Sequence, residues 1–292
     1  MQQAGTPVDY EELIRVIHDR YEGMSNSYQK VALYLTQNPN DVAVLSLGAI
    51  SERCGTHGSS LVRFAQSLGF DGFKELQGLF QKRLSTAAPG FEARIRALEG
   101  ELGGRQDHTE LGFLRDLVVR DMASLKDLLH EIKGDDLMKA VKLLERADCI
   151  FLVGQLRSTP VVELLRYILT MLGKRCVLLD PGGGLATHMA KAVRKTDVVF
   201  AVSFRFYATE VVNIVEEASS RGIPIIAITD STLSPLAKCA DVLFAVAEHE
   251  YTFSRSLAAP MCLAQALAVA LAARLQNNTD NPRIPIVTAK GN

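Results

Sequence analysis

CIFLVGQLRSTP, residues 149–160, joins an apolar run to a turn of small and polar residues. Residues 149–153 are apolar at every position and few in number, which predicts a strand buried on both faces. A helix should follow, with Ser158 or Thr159 as its N-cap and Pro160 at its first position. The free backbone amides at such a helix start bind phosphates and other anions. Loops of that kind usually carry glycines, which let the backbone approach a ligand. This one has Gly154 and then Gln155, Leu156 and Arg157.

The apolar run recurs. Residues 176–180, 198–202, 225–229 and 242–246 are further strand candidates, separated by helical segments of ordinary length. That alternation predicts an α/β layer built on a doubly wound, five-stranded parallel sheet, with functional loops at the carboxyl ends of its strands. Upstream of about residue 85 the pattern is helical. STAAPG, residues 85–90, reads as a boundary. FLRDLVVRDMASLKDLLHEI, residues 113–132, has helical periodicity, with Gly134 as its expected stop. The expected organisation is an all-α helix-turn-helix domain over 1–84, a linker over 85–112, an α/β domain over 113–276 and an irregular tail over 277–292.

Composition narrows the function. A formal net charge of −1 gives no whole-chain attraction to nucleic acid or acidic lipid. The five cysteines include no CxxC pair and read as reduced, mostly buried thiols of a cytoplasmic protein. The N-terminus is too acidic and polar for a signal peptide. Residues 256–275 are weakly polar but contain Pro260 and Gln265, and read as a buried core helix, not a membrane span.

LSLGAISERCGTHGSSLVRFAQSLGF, residues 45–70, reads as helix, tight turn, helix. Leu47, Ile50, Ser51 and Cys54 face inward on the first helix, Gly55 supplies a left-handed turn residue, and Thr56 or His57 caps the second helix. Leu61, Phe64 and Leu68 give that helix an inward face. His57, Ser59, Ser60 and Arg63 stay outward, a set suited to the start of a recognition helix in the major groove. An ordinary helical hairpin with a polar face explains the same spacing. Lys74 and Lys82 are candidate phosphate contacts. Residues 45–84 carry five Lys/Arg against three Asp/Glu, a net +2. That is a weak footprint for one head and suggests that binding needs two or more.

YQKVALYLTQNP (28–39) and SERCGTHGSSLVRFAQSLGFDGFKEL (51–76) resemble the helix-turn-helix domain of RpiR/MurR-type bacterial transcriptional regulators. In that family the second domain is a SIS (sugar isomerase) domain, and residues 120–275 fit one. The resemblance implies a homodimeric or homotetrameric regulator that binds a double-stranded DNA operator and senses a sugar phosphate or related metabolite. It places His57, Ser59, Ser60 and Arg63 on recognition-helix positions, with His57-Gly58 where members commonly have a serine cap and a proline.

The ligand loops depart from the family pattern. The first usually reads Gly-x-Gly-x-Ser; Gly154 and Ser158 match, while Leu156 takes the second glycine position and Arg157 precedes the serine. The second usually reads Ser-x-Ser-Gly-x-Thr-x-Glu; here it is SFRFYATE, residues 203–210. Ser203 and Glu210 match, Arg205 replaces the second serine, Phe206 the glycine and Ala208 the threonine, with Thr209 beside them. A guanidinium pair, Arg157 and Arg205, suits a carboxylate or phosphate; pairing with Glu163 or Glu210 is the structural alternative. DPGGGLATH, residues 180–188, can close over a ligand with the backbone at Gly183. It has neither P-loop nor dinucleotide spacing. No His/Cys/Asp cluster has metal spacing, and no cofactor is expected. The alternative function is a SIS-type phosphosugar isomerase or aldolase, for which Glu210, His188 and His249 are the only acid/base candidates.

Overall fold

The computed structural model describes residues 6–85, 98–100, 102–103, 109–205, 207–246 and 255–277. The expectations for Phe206, His249 and the tail beyond Asn277 lie outside them, as do parts of the linker.

Six helices form the N-terminal head: α1 (Tyr10–Arg20), α2 (Asn26–Gln37), α3 (Pro39–Val44), α4 (Leu47–Arg53), α5 (Gly58–Ser67) and α6 (Phe73–Ser85). Local chemistry starts several of them. Asp9, Ser25 and Ser46 each accept a backbone hydrogen bond from the third residue beyond, capping α1, α2 and α4. Leu13, Ile17, Leu35, Ile50, Leu61, Phe64, Leu76 and Phe80 share one core, so the helices pack as a unit. Gly55 makes the α4–α5 turn at φ +61. A side chain there would strain the left-handed backbone.

Then come α7 (Glu110–Glu131) and α8 (Gly134–Arg146). Gly134 is therefore not a stop but the first residue of α8. Helix α7 ends instead at Ile132, whose extended backbone breaks it.

The α/β part follows as β1 (Ile150–Gly154), α9 (Thr159–Met171), β2 (Cys176–Leu178), α10 (Ala186–Ala190), β3 (Val198–Val202), α11 (Thr209–Ser220), β4 (Ile225–Thr229), β5 (Val242–Ala245) and α12 (Ala258–Asn277). The sheet is all parallel in the order β2-β1-β3-β4-β5. Strands β1, β3 and β4 are buried at every residue, as their unbroken apolar runs require. Ile150, Leu152, Phe200, Ile226 and Phe244 turn to the face covered by α8, α9 and α12. Phe151, Val153, Val199, Ala201 and Ile225 turn to the face covered by α10 and α11. This is the expected doubly wound layer. Helix α12 is long and apolar enough to cross a membrane, yet Leu263, Leu267 and Leu271 are spent on the core.

The strand order reverses between β1 and β3. In open α/β sheets ligands bind at that reversal, outside the carboxyl ends of the strands. Gly154 and Ser203 stand there.

Candidate functional site

Two surfaces carry the predicted residues. On the head, α5 buries Leu61, Phe64 and Ala65 and turns Ser59 and Arg63 to solvent, with Ser60 half-buried. His57 takes the N-cap position with extended backbone, but its imidazole makes no capping bond and is exposed. The hydroxyl of Thr56 is buried with no hydrogen-bond partner among the described residues. Thr56, His57 and Ser60 line an open cleft of about 350 Å³ with Asn26, Ser27 and Lys30. The sequence reading missed the last three. The signal for them was Ser25, whose capping bond to Tyr28 aims the start of α2 at this cleft. Lys74 is exposed on the first turn of α6. Arg83 is turned the other way, only 7% exposed, and so lies outside any DNA-facing charge.

The second surface is the crevice at the strand reversal. Its first loop turns at Leu156, which holds φ 56. The left-handed conformation that a glycine would provide is thus kept by a leucine, at a cost of about 1–2 kcal/mol. A 3₁₀ turn over Leu156–Ser158 follows. Ser158 already has helical backbone, so its hydroxyl makes no cap, contrary to expectation, and Pro160 falls in the first turn of α9. Gly154 leaves no room for a side chain: an added Cβ would stand 2.9 Å from Val162 Cγ1 and 3.2 Å from the Val202 carbonyl oxygen.

The loops after β1, β2 and β3 are tied at Glu210. Its Oε2 accepts from Gln155 Nε2 at 2.6 Å and its Oε1 from Thr187 Oγ1 at 3.0 Å. Gln155 and Thr187 were not singled out from the sequence, because an amide and a hydroxyl far apart in the chain give no spacing signal. Ser158 and Ser203 are both buried nearby, Thr209 is exposed at the start of α11, and Gly183 has φ +70 in the exposed loop after β2. His188 is exposed on α10.

The two arginines have different surroundings. Arg157 Nη1 donates to the carbonyls of Arg255 and Ser256 at 3.1 and 3.2 Å, and its guanidinium lies 4.7 Å over the Phe204 ring. Arg205 stands near His18 of the head, whose imidazole pKa is lowered chiefly by burial, against the pull of Asp230, with a further push from the Arg205 charge. Of the acids considered as partners, Glu163 pairs with Arg166 at 2.7 Å.

These parts define a DNA-reading helical head joined to a sugar-isomerase-type α/β domain. Residues 11–87 match the helix-turn-helix domain of the rpiR family and residues 143–270 match the SIS domain. An HTH-type transcriptional regulator of Escherichia coli (strain K12) is 27% identical over 253 residues, 86% of each chain. Another, from Caldanaerobacter subterraneus subsp. tengcongensis, is 24% identical over 83% of this chain and 82% of its own. The sugar isomerase domain of an RpiR transcription factor from Sphaerobacter thermophilus superposes with TM-score 0.53 at 29% identity, over 56% of this chain and 90% of its own. The Vibrio vulnificus NanR protein, solved with ManNAc-6P, gives TM-score 0.53 at 21% identity over 92% of this chain and 94% of its own. The chain belongs to the RpiR family of helix-turn-helix transcriptional regulators, with the DNA-binding domain first and the SIS domain second.

The two loop positions make opposite demands on stability. Gly154→Ala should cost about 1–3 kcal/mol, because backbone and Val162 must shift. Leu156→Gly trades left-handed strain against unfolded-chain entropy and should stay within about 1 kcal/mol of the parent. Urea unfolding measures both. Equal losses in the two variants would contradict the left-handed backbone at Leu156.

Proposed function

We propose that the chain is a cytoplasmic, non-enzymatic, homo-oligomeric regulator. Its head, over 1–84, reads an operator through Thr56, His57, Ser59, Ser60 and Arg63, with Lys74 on the phosphates. Its SIS domain, over 113–276, binds a small anionic metabolite at the strand reversal. The observation that carries this is α5, which presents Arg63 and Ser59 outward while Leu61 and Phe64 anchor it in the head core. Arginine is a bidentate partner for guanine, and short hydroxyl side chains reach bases or phosphates.

In the SIS crevice, Arg157, Ser158 and Ser203 are the anion-binding set, framed by Gly154, Gly183, Thr209 and Glu210. Arg205 adds positive charge from the head side of the same loop. A sugar phosphate or sugar acid fits that chemistry, and NanR, similar in fold, is solved with ManNAc-6P. Against isomerase action, both oxygens of Glu210 are engaged by Gln155 and Thr187. The exposed His188 is not hydrogen-bonded to Glu210 in any pairing among the described residues.

The oligomer would form through α7 and α12. Leu111, Leu114, Val118, Met122 and Leu129 of α7 are each more than two-fifths exposed, as is Val269 of α12. A stripe of that size on one helix marks an interaction surface, and a second copy covers it without leaving edges.

Arg63→Ala should weaken binding to the chain's own upstream DNA by about 1–3 kcal/mol per head and relax base preference. Lys74→Ala should lower affinity evenly across sequences. Gel shifts decide this, and unchanged operator affinity in Arg63→Ala would remove α5 as the recognition helix.

A thermal-shift panel of hexose phosphates, amino-sugar phosphates, sugar acids and neutral sugars should raise the melting temperature only with anionic members, since a ligand bound to the native state alone stabilises it. Arg157→Ala should weaken the responding ligand about tenfold or more. A response to neutral sugars alone refutes the anionic site.

The full chain should sediment as a dimer or tetramer at micromolar concentration, and Val118→Asp with Met122→Asp should reduce it to monomer. A wild-type monomer would be the contrary result.

A further inference from the structure

The loop after β3 has two sides. On one, Glu210 is held by Gln155 and Thr187, and Phe204 carries the guanidinium of Arg157. On the other, the carbonyl of Tyr207 accepts a hydrogen bond from Arg83 Nη2 at 2.9 Å. Arg83 belongs to α6 of the head. Its Nη1 donates to Asn40 Oδ1 at 3.0 Å, and its guanidinium lies 5.0 Å over the Tyr10 ring. One buried side chain therefore ties α1, α3 and α6 to the SIS loop.

Two contacts flank it. Lys238 Nζ donates to Asn38 Oδ1 at 2.5 Å while pairing with Glu216 at 2.7 Å. Ser231 Oγ and His18 Nε2 stand 3.4 Å apart. Tyr207 is 1% exposed and holds φ 28. Non-glycine backbone in that region persists only where its surroundings over-determine it.

We infer that residues 203–210 couple the effector crevice to the DNA-binding head: a ligand engaged on the Ser203 and Glu210 side changes how the head is seated on the Tyr207 side. The inference rests on the regulator reading above and specifies its route of control. Ser203 and Glu210, on either side of Tyr207, are both anchored. Ser203 N bonds to the Ile228 carbonyl at 3.1 Å, and Glu210 lies in the first turn of α11. Tyr207 lies within four residues of both Ser203 and Glu210, so a ligand that shifts either would displace the Tyr207 carbonyl with it. Moving that carbonyl strips a buried guanidinium of a partner, which is costly unless the head moves with it. The head moves as a body, because Ile17 of α1, Phe80 of α6 and Phe64 of α5 share one core. The recognition helix is therefore reoriented by a shift at Arg83 and His18. By linkage, operator DNA must act back on the loop.

Hydrogen exchange followed by mass spectrometry on the full chain tests both halves. Without DNA or ligand, His18→Gln with Lys238→Ala, and separately Arg83→Gln, should speed exchange of residues 203–212 roughly tenfold, the equivalent of about 1.4 kcal/mol. Far-UV circular dichroism and melting check that the head stays folded, and the first variant spares Arg83 if the second does not fold. Unchanged exchange in the folded variants overturns the docking contact. With the chain's upstream DNA, wild type should show altered exchange over 203–212, and Arg83→Gln should bind that DNA with the alteration lost. Wild type that binds DNA with the loop's exchange unaltered overturns the coupling. Wild type that binds no DNA in a gel shift overturns the regulator reading and the coupling with it, while the DNA-free arm still decides the contact.

Discussion

The close approach at Gly154 is the constraint on which the rest of the structure depends. There the end of β1, the start of α9 and the end of β3 meet at van der Waals distance, with Val162 Cγ1, the Val202 carbonyl and the Ser158 carbonyl all within 3.3 Å of where a Cβ would stand. β1 and β3 pair through this point, Gly154 opposite Val202. Because the strand order reverses between them, the two following loops emerge side by side. That adjacency lets Gln155 reach Glu210 and Arg157 lie on Phe204. A larger residue would push α9 off the sheet and separate the loops that form the crevice.

The strands were legible because burial on both faces demands unbroken apolar runs, and β1, β3 and β4 have them. The edge strand β2 was read too long. It pairs with β1 alone through Cys176, Val177 and Leu178, and past them the Leu179 amide still bonds to the Leu152 carbonyl at 2.8 Å outside the strand. Gly134 misled because glycine commonly follows a helix end in the left-handed conformation, but Ile132 had already broken α7 and Gly134, without a positive φ, opens α8. Ser158 misled because capping needs extended backbone at the cap, and the 3₁₀ turn had already made it helical. On the head, alternation of Leu61 and Phe64 with Ser60 and Arg63 was enough to orient α5 correctly. Contacts set by tertiary structure alone were not legible. Arg83 and Tyr207 are 124 positions apart, and nothing local to either marks the pair.

Arg83 also changes the electrostatic reading of the head. Counted by sequence, residues 45–84 have a net charge of +2. With Arg83 turned to the SIS domain, Arg53, Arg63, Lys74 and Lys82 remain against three acids. Arg53 is moreover paired with Asp41. Phosphate contacts supply most of the affinity for DNA, and few are on offer here. A single head is thus a weak binder, and the proposed oligomer would supply affinity by bringing heads to one site together.

That weakness makes the seating of the head consequential. When two linked modules bind together, the second contact is strengthened by effective concentration only if geometry lets both reach their targets, and is lost if it does not. A rotation of each head of the kind inferred for the loop beside Tyr207 need not touch the proposed base contacts of Arg63 or Ser59. In the proposed oligomer it has only to misalign two recognition helices that would enter successive major grooves about one helical turn apart. A strongly basic head would hold DNA through such a misalignment by phosphate contacts alone. The near-neutral head of this chain lacks that reserve, so under the inferred coupling a small movement at the crevice would suffice to separate bound from unbound.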